Sequence, residues 1–211
     1  MKVVAFIPLR NNSQRIKDKN NQLIGNKSLV QHLTDTLIEV NNLDEIYIYS
    51  SDKSYINGLN EEIKFLERDV ELDGNLILGV DIYKSFIEKV DADIYILAHV
   101  TSPFLKRETF ENGISSVVNE GYDSSFTAER VKTFAWYKGQ PLNYSLDNVV
   151  RTQDIEPVYF ETSGFYIFKK ELMLNKGVRI GKKPKMIQVD YIEAVDIDEP
   201  CDLDFARAIF K

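Results

Sequence analysis

Two groups of residues in this 211-residue chain have the types and spacing to do chemistry, and they lie at opposite ends of it. The first is basic. From Arg10 to Lys27 there are five cations, Arg10, Arg15, Lys17, Lys19 and Lys27, against the single acid Asp18, in a chain whose formal net charge is −7. Asn11, Asn12, Ser13 and Gln14 are interleaved with them, a mixture suited to a phosphate-bearing ligand. A solvated basic surface loop has the same composition. The second group is acidic, with seven carboxylates and no Lys or Arg from Asp190 to Asp204. Asp196 and Asp198 alternate with Val195 and Ile197. In an extended segment such a pair projects to one side, roughly 6–7 Å apart at Cα. Two carboxylates so placed can converge on one magnesium ion, which completes its octahedron with waters and substrate phosphates. The competing reading is that Asp198, just before Glu199-Pro200, caps a final helix over Pro200–Ile209, which leaves Asp196 unexplained.

Taken together, the two groups suit a nucleoside triphosphate with magnesium. Phosphoryl and nucleotidyl transfer depend on positioning and charge stabilisation and need no protein nucleophile. That agrees with a chain that has no Ser/His/Asp order, no HExxH and no GxxxxGK[ST], and the last absence argues against a P-loop enzyme. The single cysteine, Cys201, rules out an internal disulfide and reads as a packing residue. His32 and His99 cannot by themselves form a multi-histidine metal cage.

Alternating elements must position these groups. Val3–Ile7 reads as a buried parallel strand running straight into the basic loop. Ser28–Val40 carries a helical apolar stripe, Glu45–Ser51 a strand, Ser54–Asn60 a short helix and Ile63–Leu66 a short strand. Leu76–Val90 is helical, Asp93–Val100 a strong strand ending at Thr101-Ser102-Pro103, Arg107–Asn119 helical and Ser124–Ala128 strand-like. Later come a strand over Tyr159–Phe168, a helical turn over Lys169–Leu174 and a strand over Lys185–Val189. This order predicts a single α/β domain, 1–211, of three layers around a mostly parallel twisted sheet. Open sheets of this kind bind ligands at the carboxyl ends of their strands, where the basic loop lies.

Residues 131–160 form an excursion from that pattern. A hairpin turning at Lys138-Gly139 precedes a polar, irregular stretch, and Phe134, Trp136, Tyr137 and Tyr144 make it aromatic. Such a segment covers a site, makes a subunit interface, or is an ordinary antiparallel edge. The net negative charge argues against nucleic acid or a membrane surface as partner. No apolar run approaches the ~18 residues of a membrane span. Pro8 and Arg10 break the first apolar stretch, so a signal peptide is not expected and the cytoplasm is the expected location.

Four short motifs, in this order and context, resemble the CMP-sugar synthetase family, the cytidylyltransferases that activate acylneuraminate-type sugars. They are Ile7-Pro8-Leu9-Arg10 with Asn12-Ser13 and Lys19-Asn20; Thr101-Ser102-Pro103; Gly164-Phe165-Tyr166-Ile167; and Asp196-Ile197-Asp198. The resemblance spans nearly the whole chain and implies a nucleotide-diphospho-sugar transferase fold. It also implies transfer of CMP from CTP to the anomeric hydroxyl of an acidic, nonulosonic-type sugar, with release of pyrophosphate, for surface-polysaccharide synthesis. By position, Arg10 and Lys19 would contact the triphosphate with Asn12, Ser13 and Arg15 beside them, Asn20 would help to recognise cytosine, and Arg68 would lie near the base. Asp196 and Asp198 would hold magnesium. The resemblance makes the excursion a dimerisation segment, implies a homodimer, and has Arg151 and Gln153 reaching into the neighbouring site.

The departures from the family cluster on the sugar side. Gln14 stands where the family has lysine, His99 where it has glutamine and Ser163 where it has asparagine, and the run Phe160-Glu161-Thr162-Ser163 lacks a family arginine. His99 reads either as a satisfied structural histidine or, with Thr101, Ser102 and Ser163, as a sugar contact. The alternatives are a 3-deoxy-manno-octulosonate cytidylyltransferase, a catalytically inactive nucleotide-binding homologue, and an interaction subunit using the aromatic excursion.

Overall fold

The computed structural model describes residues 1–11 and 13–210; the expectation for Asn12 lies outside the described residues. In chain order the strands and helices are β1 (Val3–Pro8), β2 (Leu23–Ile24), β3 (Lys27–Ser28), α1 (Leu29–Ile38), β4 (Glu45–Ser50), β5 (Ile63–Glu67), α2 (Gly79–Lys89), β6 (Ile94–Ala98), α3 (Arg107–Val118), β7 (Ser124–Val131), β8 (Trp136–Tyr137), β9 (Gln140–Pro141), β10 (Val158–Lys169), α4 (Lys170–Lys176), β11 (Pro184–Val189) and α5 (Pro200–Ile209). Seven strands form one sheet in the order β11-β7-β10-β6-β1-β4-β5. Every neighbouring pair is parallel except those of β10, which runs antiparallel to β6 and β7.

The alternation of side chains along β1 explains the three layers. Val3, Ala5 and Ile7 face a core shared with α1, α3 and α5, while Val4 and Phe6 face one shared with α2 and α4. A strand buried on both faces must be apolar throughout, as Val3–Ile7 is. Phe6 stacks on Phe86 of α2 with ring centroids 4.4 Å apart. α1 begins at a capping box in which the Ser28 hydroxyl accepts from Gln31 N–H and the Gln31 carboxamide accepts from Ser28 N–H.

The chain winds from β1 outward through β4 and β5, then returns through α2 to β6 on the other side of β1. The loops that leave β1 and β6 therefore diverge, and an open α/β sheet has its ligand crevice at such a switch point.

Some elements differ from the expected ones. The stretch expected to be helical at Ser54–Asn60 is a single 3-10 turn, Lys53–Ile56, and α2 begins at Gly79 rather than Leu76. The basic loop contains the β2-β3 hairpin, too short to leave an alternating pattern in the sequence. The expected hairpin turn is present, with Lys138 and Gly139 both at positive φ. Val131 pairs with Val158 and Glu129 with Phe160, so the sheet reaches into both ends of residues 131–160. No helix among the described residues is long and apolar enough to cross a membrane.

Candidate active site

At the β1–β6 switch point lies a cavity of about 300 Å³ lined by Arg10, Ser13, Lys19 and Asn20 from the loop after β1, by His99 and Thr101 from the end of β6, and by Gly79 and Tyr83 from the start of α2. The basic loop is held in shape by its own polar groups. Asp18 adopts a left-handed conformation and leads into a 3-10 turn over Lys19–Asn21. The buried Asn20 amide donates to the Arg10 carbonyl (3.0 Å) and to the Tyr55 hydroxyl (3.1 Å), closing the loop on itself. The Arg10 guanidinium donates to the Ile77 carbonyl at 3.0 Å, tying the loop to the approach of α2.

The acidic group does not line this cavity, but it is tied to two residues that do, Thr101 and Lys19. Ile197 N–H donates to the Thr101 carbonyl (2.8 Å), which draws the 195–198 segment against the β6 loop. Lys19 Nζ then donates to the Ile197 carbonyl (2.9 Å) and to Asp198 Oδ1 (3.1 Å). Arg15 pairs with Asp198 and Glu199, each at 3.0 Å. Asp198 is thus an ion-pair partner of the basic loop and not the cap of α5. Glu199 occupies the cap position, and the Asp202 carboxylate accepts from the Glu199 and Asp198 N–H groups.

Asp196 is half-buried and its Oδ1 has no hydrogen-bond partner among the described residues. Burial raises its pKa above the ordinary value, while the Thr101 hydroxyl pulls it down. A buried, unpartnered carboxylate oxygen costs stability unless something else satisfies it. This oxygen and the neighbouring Asp198 form an all-oxygen, two-carboxylate set, the kind that suits magnesium with phosphate and water completing its shell. Other acids of the C-terminal run are structural: Glu193 accepts from Thr109 Oγ1 (2.6 Å) and from Lys106 N–H (2.9 Å), and Asp190 pairs with Lys106.

His99 stands where the cavity meets β10. Its Nδ1 lies 2.6 Å from the Ser163 carbonyl, which can only accept, so Nδ1 carries the proton and Nε2 is the acceptor. Burial lowers its pKa below the ordinary value. Ser163, at φ 58°, sits in the irregularity between Glu161 and Tyr166 that breaks the β10–β7 ladder. Ser102 is buried with its hydroxyl unpartnered among the described residues.

Arg68 does not line this cavity. Its side chain is fully buried and donates to the carbonyls of Leu9 (2.6 Å) and Tyr49 (3.2 Å) and to Asp73, locking the end of β1 to β4. Its Nε has no partner among the described residues. Arg151 is exposed and pairs with Asp154 at 2.7 Å, and the Gln153 carbonyl accepts from Lys132; neither lines the cavity. Gly79 and Tyr83 were missed by sequence reasoning because a helical apolar stripe gives no sign of which turn faces a ligand.

A family model described as Cytidylyltransferase matches residues 4–210. The chain is 25% identical over 215 residues to an N-acylneuraminate cytidylyltransferase of Streptococcus agalactiae, covering 94% of this chain and 51% of that protein. It is 23% identical to a CMP-N,N'-diacetyllegionaminic acid synthase of Legionella pneumophila, covering 96% of this chain and 93% of that one. The chain spans about half the length of the N-acylneuraminate cytidylyltransferases that it matches. Among solved structures, a CMP:2-keto-3-deoxy-manno-octonic acid synthetase complexed with CTP superposes with a TM-score of 0.71 at 17% identity, covering 99% of this chain and 98% of that chain. The expected nucleotide-diphospho-sugar transferase fold is therefore the observed one. From Val4 to Phe210, this chain belongs to the cytidylyltransferase family.

Proposed function

We propose that the protein is a magnesium-dependent sugar cytidylyltransferase that moves CMP from CTP to the anomeric hydroxyl of an acidic, nonulosonic-type sugar and serves surface-polysaccharide synthesis. The observation that carries this reading is Lys19, whose ammonium joins the basic loop to Asp198 at the switch point of the sheet. The acceptor's anomeric oxygen attacks the α-phosphorus, the bond from that phosphorus to the pyrophosphate oxygen breaks, and the hydroxyl proton leaves to solvent.

Lys19, Arg10 and Arg15 supply positive charge where the leaving pyrophosphate gathers negative charge, within a loop whose shape is set before the ligand arrives. Ser13 adds a hydroxyl on the same wall. Asn20 retains its Oδ1 for the cytosine amino group while its Nδ2 holds the loop. Arg68 supports that loop from beneath through the Leu9 carbonyl. Asp196 and Asp198 would hold the magnesium ion, which when bound neutralises phosphate charge and orients the phosphates. His99, Thr101, Ser102 and Ser163 form the acceptor side.

Exposed Trp136, Tyr137, Leu142 and Leu146 in the excursion support a homodimer in which Arg151 and Gln153 complete the partner's site. The absence of any membrane-spanning helix among the described residues is compatible with cytoplasmic work on soluble CTP and sugar.

An eight-carbon acceptor is a second reading. It is favoured by the match to a 3-deoxy-manno-octulosonate cytidylyltransferase of Flavobacterium johnsoniae that covers 100% of this chain and 99% of that protein at 21% identity. Pyrophosphate release from CTP, UTP and ATP, with nine-carbon and eight-carbon acidic sugars, tests both. Release with CTP and one acidic sugar is the expected result. Binding of CTP without turnover of any sugar would make the chain an inactive nucleotide-binding homologue.

A further inference from the structure

A second chamber of about 630 Å³ opens beside the nucleotide cavity, and Gly79 and Tyr83 line both. Val80, Met173, Val178 and Ile180 give it apolar walls, and its charged lining residues are Glu161 and Arg179. The Arg179 guanidinium sits over Tyr166, with its carbon 3.7 Å from the ring centroid. One of its nitrogens is 3.4 Å from Glu161 Oε1, a long contact, and no other hydrogen bond is made by this guanidinium among the described residues. Tyr166 is the platform. It is fully buried, and its hydroxyl donates to the same Glu161 oxygen. Burial together with that carboxylate pushes its pKa up to about 12, so it remains a donor.

We propose that Arg179 is the specificity-determining anion anchor of the acceptor subsite, binding the sugar's carboxylate in place of Glu161. This rests on the cytidylyltransferase reading above. A guanidinium seated on an aromatic ring and holding one long hydrogen bond has N–H donors left over, and its fork can receive a carboxylate by two parallel hydrogen bonds. In a 2-ulosonic acid the carboxylate is bonded to the anomeric carbon, so its anchor must stand close to the attacking hydroxyl. Arg179 stands on that side: it sits over Tyr166, whose ring centroid is 6.1 Å from that of His99 in the nucleotide cavity, and Gly79 and Tyr83 line both chambers. The apolar walls then accept the acyl or deoxy substituents of the sugar. Glu161 is a temporary counter-ion: Arg179 and Glu161 keep 36% and 41% of their side-chain surface exposed, so the pair separates at low cost.

Steady-state pyrophosphate release by the full chain, with magnesium, CTP and whichever of N-acetylneuraminate or 3-deoxy-manno-octulosonate supports turnover, tests the assignment. Arg179→Met is expected to raise the acceptor KM about 10- to 100-fold, the loss of a charge-assisted pair, while the CTP KM stays within about twofold. Arg179→Lys recovers part of the loss, and Glu161→Gln lowers the acceptor KM or leaves it unchanged. Thermal midpoints of all three variants close to that of the parent protein exclude misfolding. An unchanged acceptor KM in Arg179→Met, with turnover intact, would overturn the assignment and leave the cytidylyltransferase reading standing. So would a large rise in Glu161→Gln alone, which would mean that the chamber reads a cationic substituent. Inactivity of the parent protein with both acids, despite CTP binding, would remove the reading itself and the anchor with it.

Discussion

Lys19 Nζ lies 3.1 Å from Asp198 Oδ1, although 179 residues separate the two in the chain. The contact joins the loop after the first strand to the segment before the last helix, through a lysine that lines the cavity. Under the proposed function, this cation would exchange the carboxylate for phosphate when the nucleotide binds with its own counter-ion.

Asp198→Asn keeps the shape and removes the charge. Turnover is expected to fall about 100-fold or more, in line with losses seen when metal-binding shells are altered. The thermal midpoint should stay within about 2 °C, because the side chain is 45% exposed and Glu199, not Asp198, holds the cap position of α5. Magnesium titration of pyrophosphate release is the measurement; full activity at ordinary magnesium concentrations would return Asp198 to a structural role.

Asp196 carries the opposite signature. Burial raises its pKa in the folded chain, so ionisation works against folding: the stabilising contribution of the protonated form is present at low pH and lost as pH rises through the raised value. At neutral pH without metal, Asp196→Asn should therefore raise the thermal midpoint by about 2–4 °C, roughly 1 kcal/mol, while removing activity. For the unsubstituted protein, added magnesium should stabilise more at pH 8 than at pH 5. A destabilised, active Asp196→Asn would exclude it as a magnesium ligand.

Arg68→Met tests a buried cation whose hydrogen bonds run to two carbonyls and Asp73. Removing it leaves Asp73 without its guanidinium partner, and urea unfolding should show a loss of about 3–5 kcal/mol. CTP affinity falls as a consequence of the slackened β1 loop, and the two losses are expected together. A variant with full stability but no CTP binding would place Arg68 on the base alone.

Trp136 and Tyr137 are 55% and 62% exposed on the β8-β9 hairpin. Light scattering at micromolar concentration is expected to give the mass of a dimer, and Trp136→Glu to give a monomer with reduced turnover. A monomeric parent protein with full activity would remove Arg151 and Gln153 from any shared site.

Much of the framework was legible locally. Val3–Ile7 had to be a central strand because only a strand covered on both faces is apolar at every position, and the helical stripes of α1, α2 and α3 likewise announced their buried sides. The direction of β10 was not legible, since a strand's apolar run reads the same in either sense. Nor was the structural role of Glu193, whose partners Thr109 and Lys106 lie more than 80 residues away.

By itself, the sequence determined the chemical types and their spacing: a loop of cations after a strand, and two carboxylates two residues apart before the last helix. Those follow from composition and from the order of residues along the chain, which no folding changes. Only the tertiary structure decided which charges meet. The switch in strand order opens a crevice between the β1 and β6 loops, the Ile197–Thr101 hydrogen bond draws the acidic segment to the β6 loop, and Lys19 closes on Asp198. The same folding placed Arg179 on Tyr166 beside Glu161, a juxtaposition with no local signal, because charges far apart in sequence interact only once packing has fixed the distance between them.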